Sequence, residues 1–309
     1  MVLRHQGSVP GWRMERRHKM KRFSPRVAAV HDISGFGRVS LTMVIPVLST
    51  MGVEVCPLPT AVLSTHTGGY DNYKFIDLTD HMEGYIEHWA SIEADFDCIY
   101  TGYLGSSRQI DIMARFIQDF SRDEQLVVID PVLGDNGRLY KSFDDKMVEK
   151  MREFIGQAGI ITPNLTEAAL LLNRPYTTRL EDDEIKEWLL SLAEMGPKTV
   201  IITGVPDVQS EKVTHVIAYN SEDDRFWKVE CSYIPAHFPG TGDGFTSVVV
   251  GSLLKGDSLP IALDRAAQFI LSAIRASYGH QYPRREGVLL ERVLDNLKLP
   301  VLVSTYELF

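Results

Sequence analysis

Between Val27 and Thr203, short runs of apolar and β-branched residues alternate with longer segments whose apolar positions recur at helical spacing. The short runs fit strands buried on both faces, and the periodic segments fit helices that cover them. The pattern predicts strands at Val27–Val30, Val53–Pro57, Cys98–Thr101, Leu126–Asp130, Gly159–Thr162 and Thr199–Thr203. It predicts helices at Ser40–Met51, Leu78–Ser91, Ser107–Phe120, Lys146–Ile155, Thr166–Leu172 and Asp182–Met195. Repeated strand-to-helix succession is the mark of βα units, so the fold class expected is α/β, with a mainly parallel sheet covered by helices. Farther on, Val213–Tyr219 and Arg225–Cys231 flank the polar stretch Asn220–Asp224 and read as an antiparallel hairpin at a sheet edge. Pro260–Tyr278 reads as a covering helix, and Val288–Leu297 as a further mixed helical segment before a short tail.

Polar sequences sit where these strands end: HDISGFG after Val30, TGYLGS after Tyr100, DPVLGDNG after Ile129, TPN after Ile161 and TG after Ile202. An open α/β sheet gathers such ends onto one rim, and ligands bind there. Gly240–Phe245, GTGDGF, precedes Val248, Val249, Leu253 and Leu254, so it reads as the opening of a packed helix. The first amides of a helix lack intrahelical acceptors. Gly240, Thr241 and Gly242 can therefore wrap an anion while Asp243 reaches a substrate hydroxyl, an arrangement suited to phosphoryl transfer to an alcohol. The same residues also suit an ordinary turn whose aspartate favours the helix N-terminus.

The chain has 309 residues, enough for a substantial core, and a formal charge of -9. With a pI near 5.5, that balance argues against a general nucleic-acid binder and leaves small phosphates admissible. Arg4, Arg13, Arg16, Arg17, Lys19, Lys21 and Arg22 crowd the head of the chain, so residues 1–25 read as a loosely attached basic extension. Residues 26–300 read as one domain and 301–309 as a C-terminal tail. No segment has the unbroken apolarity of a secretory signal core or a membrane span. Cys56, Cys98 and Cys231 form no close pair and fit reduced packing thiols in a cytoplasm. HMEGYIEH at His81–His88 does not make H-E-x-x-H, and Glu83 with Glu87 fits a solvated helix face. GFGRVS at Gly35–Ser40 does not complete G-x-G-x-x-G, and no GxxxxGK[ST] loop occurs, so dinucleotide and P-loop chemistry lose their sequence support.

The ordered set STHTGG (Ser64–Gly69), TGYLGS (Thr101–Ser106), DPVLGDNG (Asp130–Gly137), TPNLTEA (Thr162–Ala168) and GTGDGF resembles the pyridoxal kinase branch of the ribokinase-like superfamily. The resemblance extends from Val27 to Tyr278. It implies a three-layer sandwich and an enzyme that uses ATP with Mg2+ to phosphorylate the hydroxymethyl group of pyridoxal, pyridoxine or pyridoxamine. It also admits a monovalent cation. By resemblance, Asp243 is the proton acceptor and the Gly240–Gly242 backbone the anion hole. Asp32, Thr60, His66 and Tyr103 would contact the substrate; Asp32 stands where the family commonly has serine, which replaces a neutral donor with a carboxylate. Thr203, Gly204, His237 and Phe238 would approach ATP, and Asp130, Asp135, Asn164 and Glu167 would form the metal and metal-water region. A homodimer is the implied assembly, with neither membrane nor nucleic-acid partners.

Two rival readings follow from the same residues. Hydroxymethylpyrimidine kinases place related apparatus on another heteroaromatic alcohol, and a noncatalytic sensor or scaffold can share the fold. GTGDGF also departs from the family's usual larger apolar residue after GTGD, because Gly244 removes a side-chain anchor.

Overall fold

The computed structural model describes residues 23–301 and 304–309. The basic stretch expected as an extension therefore lies, up to residue 22, outside the described residues. In chain order the elements are β1 (Arg26–Ser34), α1 (Leu41–Thr50), β2 (Glu54–Leu63), β3 (Phe75–Asp77), α2 (Thr79–Ser91), β4 (Cys98–Thr101) and α3 (Ser107–Asp119). There follow β5 (Leu126–Ile129), β6 (Gly134–Asp135), β7 (Arg138–Leu139), α4 (Asp145–Phe154), β8 (Ile160–Ile161), α5 (Leu165–Leu172) and α6 (Asp182–Ala193). The chain ends with β9 (Thr199–Pro206), β10 (Val213–Asn220), β11 (Arg225–Ser232), α7 (Thr241–Leu254), α8 (Leu259–Tyr278) and β12 (Tyr306–Leu308).

Alternation along β1 divides the interior into two cores. Ala28 and Val30 face a cluster with Met82 and Ile86 of α2, Phe116 of α3, Met151 of α4 and Trp188 of α6. Val27 and Ala29 face the other way, against Val44 of α1, Val248 of α7 and Ala266 of α8. A strand buried on both faces needs apolar residues at consecutive positions, which is why these strands read as continuous runs. The result is the three-layer α/β sandwich implied by the ribokinase-like resemblance. One ten-stranded sheet runs β12-β11-β10-β9-β8-β5-β4-β1-β2-β3. β1 pairs in parallel with both β2 and β4, and parallel pairing continues through β5 and β8 to β9. The chain leaves β1 for β2 on one side and continues from β4 on the other, so the β1/β4 boundary is the switch point where such sheets bind ligands.

Four segments depart from the sequence expectation. Phe75–Asp77 adds an antiparallel edge strand beside β2. At the end of DPVLGDNG, β6 and the β7 that follows it form a hairpin whose turn residues Asn136 and Gly137 both have positive φ, the geometry of a two-residue turn. In place of one continuous helix over Val288–Leu297 there are two 3-10 turns, Leu290–Arg292 and Leu294–Lys298, with Val288, Leu290, Val293 and Leu297 buried. The terminal segment ends as a strand on β11, with Trp227 opposite Leu308 and Val229 opposite Tyr306.

Candidate active site

Helix α7 begins at Gly240, which caps it in the left-handed region at φ 83°. A side chain there would meet the Arg38 carbonyl oxygen at 2.2 Å, so only glycine lets the helix start press against the loop after β1. Thr241 donates its hydroxyl to the Phe238 carbonyl at 3.1 Å and closes the turn. The first intrahelical bond runs from Gly244 N to Gly240 O, which leaves the amides of Thr241, Gly242 and Asp243 ahead of it. Nothing lies within 4 Å of where a Gly242 side chain would stand, so that turn is open. Gly244 faces inward, where a Cβ would come within 3.0 Å of Ile270 and 3.4 Å of Met43. Its missing side chain thus permits close contact of α7 with α8 and α1.

The Asp243 carboxylate sits at that open turn with 15 % of its side chain exposed. Burial pushes its pKa up to about 7, against the hydrogen bond it accepts from Ser40 N at 2.8 Å; the charge of Asp32 raises it further. A carboxylate of that basicity accepts a proton at neutral pH more readily than a solvated aspartate. Its backbone carbonyl is held by Ser247 Oγ at 2.6 Å and by the buried Tyr100 hydroxyl at 3.4 Å.

Two neighbours of Asp243 were not singled out in the sequence. His31, fully buried at the end of β1, has Nδ1 3.8 Å from Asp243 Oδ1 and its ring edge-on to Tyr100 at 4.4 Å. Neither ring nitrogen has a hydrogen-bond partner among the described residues, and burial lowers the imidazole pKa to about 3, so the ring is neutral. Gly102 makes room for it, since a Cβ there would meet His31 Nδ1 at 2.2 Å. Ser40, at φ 49°, donates its amide to Asp243 and its hydroxyl to Asp32 Oδ1 at 2.5 Å. Asp32 Oδ2 accepts from Ser34 Oγ at 3.1 Å. Burial raises the Asp32 pKa, and these two hydroxyls act in the opposite direction.

The remaining substrate candidates, Thr60 in β2 and His66 and Tyr103 on adjoining loops, are already engaged within the protein. Thr60 is fully buried and donates its hydroxyl to the Tyr103 carbonyl at 3.0 Å. Gln109 ties this corner together by donating to the Thr60 carbonyl and to Thr79 Oγ1 while accepting from Gly105 N. Tyr103 is half-buried and stacks on Phe143 with ring centroids 5.6 Å apart. Both nitrogens of His66 are occupied: Nδ1 accepts from Gly68 N at 3.1 Å, so Nε2 carries the proton and donates to the Arg285 carbonyl at 2.5 Å. His66 thus offers a ligand its ring rather than a free nitrogen. Arg285 completes this corner by covering the Tyr70 ring at 4.6 Å and donating to the Gly69 carbonyl.

Across the rim, Asp130 is buried at the end of β5, where burial and the charges of Glu167 and Asp243 drive its pKa well up. Glu167 and Asn164 form a reciprocal capping box on α5. Glu167 Oε1 also accepts from Leu133 N, and Asn164 Nδ2 donates to the Gly134 carbonyl, so the pair anchors the β6–β7 hairpin. Burial raises Glu167 to about 8. Asp135, on that hairpin, lies 3.7 Å from Nε2 of the exposed His237. Among the described residues no three histidine, cysteine or carboxylate side chains converge on one metal position. Thr203 and Gly204 form a bulge in β9: two residues stand between Ile202 and Val205, where β10 has only Val216. Gly204 takes φ 68° there, a device that turns backbone toward a site at a sheet's rim. Phe238 is 2 % exposed and stacked on Tyr282, so its ring fills the core while His237 alone faces outward.

The structure thus gathers Asp243, Asp32, His31 and Ser40 into one hydrogen-bonded and electrostatic cluster, with Asp130 beside it under the charges of Asp243 and Glu167. A sequence model of phosphomethylpyrimidine kinases matches residues 45–286. A Bacteroides thetaiotaomicron protein described as a phosphomethylpyrimidine kinase and crystallised with pyridoxal is 58 % identical, with a TM-score of 0.90, and the match covers 93 % of this chain and all of that one. Pyridoxal kinase from Lactobacillus plantarum is 32 % identical with a TM-score of 0.80, over 89 % of this chain and 97 % of that chain. Pyridoxal kinase from Arabidopsis thaliana is 28 % identical over 287 residues, or 88 % of this chain and 84 % of the plant protein.

Proposed function

This chain belongs to the phosphomethylpyrimidine kinase family, and from that premise we propose that it is an ATP-dependent kinase for the hydroxymethyl group of a vitamin B6 vitamer. The observation that carries the reading is the Asp243 carboxylate, raised to about 7, beside the open amides of the α7 N-terminus. The pyridoxal held by the Bacteroides relative supports the choice of acceptor.

The acceptor alcohol passes its proton to Asp243 as its oxygen attacks the γ-phosphorus of ATP. The new O–P bond forms as the bond to the β,γ-bridging oxygen breaks, and ADP leaves with those electrons. The amides of Thr241, Gly242 and Asp243 stabilise charge on the transferring group, one residue on from the Gly240–Gly242 set expected from the sequence because Gly240 caps the helix, and alignment supplies much of the remaining acceleration. Asp243 then returns its proton to water. Asp32 faces the acceptor ring with Tyr103 and His66 as walls, while Thr60 holds the Tyr103 backbone. Thr203, Gly204 and His237 line the nucleotide side. Asp130, Asp135 and Glu167 do not converge on one point, so Mg2+ would take one or two oxygens directly, from Asp130 or Asp135, and reach Glu167 through retained waters, because both Glu167 oxygens accept backbone N–H bonds, one of them from Asn164. When bound, Mg2+ neutralises phosphate charge. A homodimer in the cytoplasm is the proposed setting; no helix among the described residues is long and apolar enough to cross a membrane.

Hydroxymethylpyrimidine is the second acceptor to consider, because the matching family takes its name from the pyrimidine. The test is a panel of pyridoxal, pyridoxine, pyridoxamine and hydroxymethylpyrimidine, each with ATP and Mg2+, with the products identified by mass. A phosphorylated B6 vitamer formed in step with ADP at the highest kcat/KM supports the proposal. Dominant efficiency on the pyrimidine moves the assignment to it, and binding without turnover favours a sensor.

A further inference from the structure

Resting on the kinase reading above, we propose that Ser40 is a positioning and specificity residue: its backbone N–H fixes Asp243 while its hydroxyl holds Asp32 as the anion that receives the acceptor ring. Ser40 donates in both directions, from N to Asp243 Oδ2 at 2.8 Å and from Oγ to Asp32 Oδ1 at 2.5 Å. The two carboxylates lie on separate parts of the fold, Asp32 in β1 and Asp243 in α7, and Ser40 is the residue that touches both.

Its backbone accounts for how one residue can do this. Ser40 has φ 49° and ψ -133°, a combination that L-residues seldom adopt. Such strain persists where the surroundings impose it, and here it aims amide and side chain at different acceptors. The contact of Gly240 with the Arg38 carbonyl brings the start of α7 against this loop. Ser40 is itself only 8 % exposed, so neither bond is shared freely with water.

Two nearby acids repel each other, and Asp32 raises the pKa of Asp243 through its charge. Holding Asp32 ionised beside Asp243 therefore requires local donors, and the hydroxyls of Ser40 and Ser34 supply them. The other titratable groups that face the pair are His66 and Tyr103 around Asp32, and His31, Tyr100, Asp130 and Tyr140 around Asp243. None of these groups donates a hydrogen bond to either carboxylate, so among the described residues Ser40 is the donor common to both. An ionised Asp32 accepts hydrogen bonds only, and thus selects an acceptor ring that presents an N–H or O–H donor, most strongly a protonated ring nitrogen.

The test is the pH dependence of pyridoxine affinity, measured by calorimetry without turnover, for wild type, Ser40→Ala, Ser40→Gly, Asp32→Asn and Ser40→Ala combined with Asp32→Asn. Glycine relieves the positive φ and alanine does not, yet both lose the hydroxyl and keep the amide. Relative to wild type, the pH at which affinity is lost on acidification should move up by about one unit in both Ser40 variants, a roughly tenfold weakening within that window. In the Asp32→Asn background, loss of the hydroxyl should change affinity by less than about twofold at every pH. An unmoved profile, a shift in only one of the two variants, or the same shift persisting without the Asp32 charge overturns the proposal. Failure of wild-type protein to bind pyridoxine strikes the kinase reading itself; normal wild-type binding with unmoved profiles strikes only the role of Ser40.

Discussion

Asp243→Asn tests two consequences of one buried charge. In the folded protein the Asp243 carboxyl titrates near 7, against an ordinary value of 3.8, so the native state binds its proton more tightly than the unfolded chain does. Below pH 3.8 both states are protonated, so the contribution of this group is fully present and does not vary with pH. Between 3.8 and 7 only the native state keeps the proton, so the stability this group contributes at low pH is lost as pH rises and is gone above about 7. The interval corresponds to about 4 kcal/mol for a fully buried, unpartnered carboxyl. The 15 % exposure of the side chain and the Ser40 N–H, which an asparagine oxygen can still receive, reduce the gain from neutralisation to roughly 1–3 kcal/mol. For a chain of this size that is about 2–6 °C in Tm. Asp243→Asn should therefore melt higher than wild type at pH 8 and converge with it at pH 4. Turnover should fall by about 10²–10⁴ through loss of the proton acceptor. Differential scanning calorimetry at both pH values, with single-turnover kinetics, checks the two together. A Tm difference independent of pH would refute the charge argument, and turnover within tenfold of wild type would refute the role of base.

The same titration gives wild-type kcat an acidic limb with an apparent pKa near 7, rising with pH as Asp243 ionises; a limb near 4 would show a solvated carboxylate instead. Gly240→Ala places a Cβ 2.2 Å from the Arg38 carbonyl in a left-handed residue, and should cost about 1–3 kcal/mol in urea unfolding while lowering kcat; an unaltered midpoint would show that the helix start can relax. Phe238→Leu should lower Tm and change KM for ATP by less than about threefold, because the ring packs on Tyr282 in the core; a tenfold rise in KM would return Phe238 to the nucleotide site. Chelation of divalent cations should abolish turnover and added Mg2+ restore it, whereas full activity in the chelator would leave Asp130 and Asp135 without that role.

The order of elements was readable because strands buried on both faces advertise themselves as apolar runs, as Cys98–Thr101 does, and helix starts follow polar rim sequences, as α7 follows Gly240. Hidden elements were those held by edge pairing or turn geometry. β12 rests on backbone pairing with β11, and β3 presents three exposed residues with no buried face to mark it. The Asn136-Gly137 pair is a hairpin signal, but its flanking strands have two residues each, too few for alternation to show. At the site, spacing marked Asp243 and the glycines because they adjoin a periodic helix. Ser40 and His31 act through conformation and burial: one by a positive φ at a non-glycine, the other by an imidazole fitted against Gly102. Arg285 reaches His66 across 219 positions of chain, a contact that no local pattern encodes.

The most direct measurement is a crystal structure of the protein with pyridoxal, Mg2+ and a nonhydrolysable ATP analogue. The account places the hydroxymethyl oxygen at about 2.6–3.2 Å from the Asp243 carboxylate, in line with the terminal phosphorus, with the Thr241–Asp243 amides on the phosphoryl oxygens. A complex in which both ligands bind while the Asp243 carboxylate lies out of reach of that oxygen would contradict it.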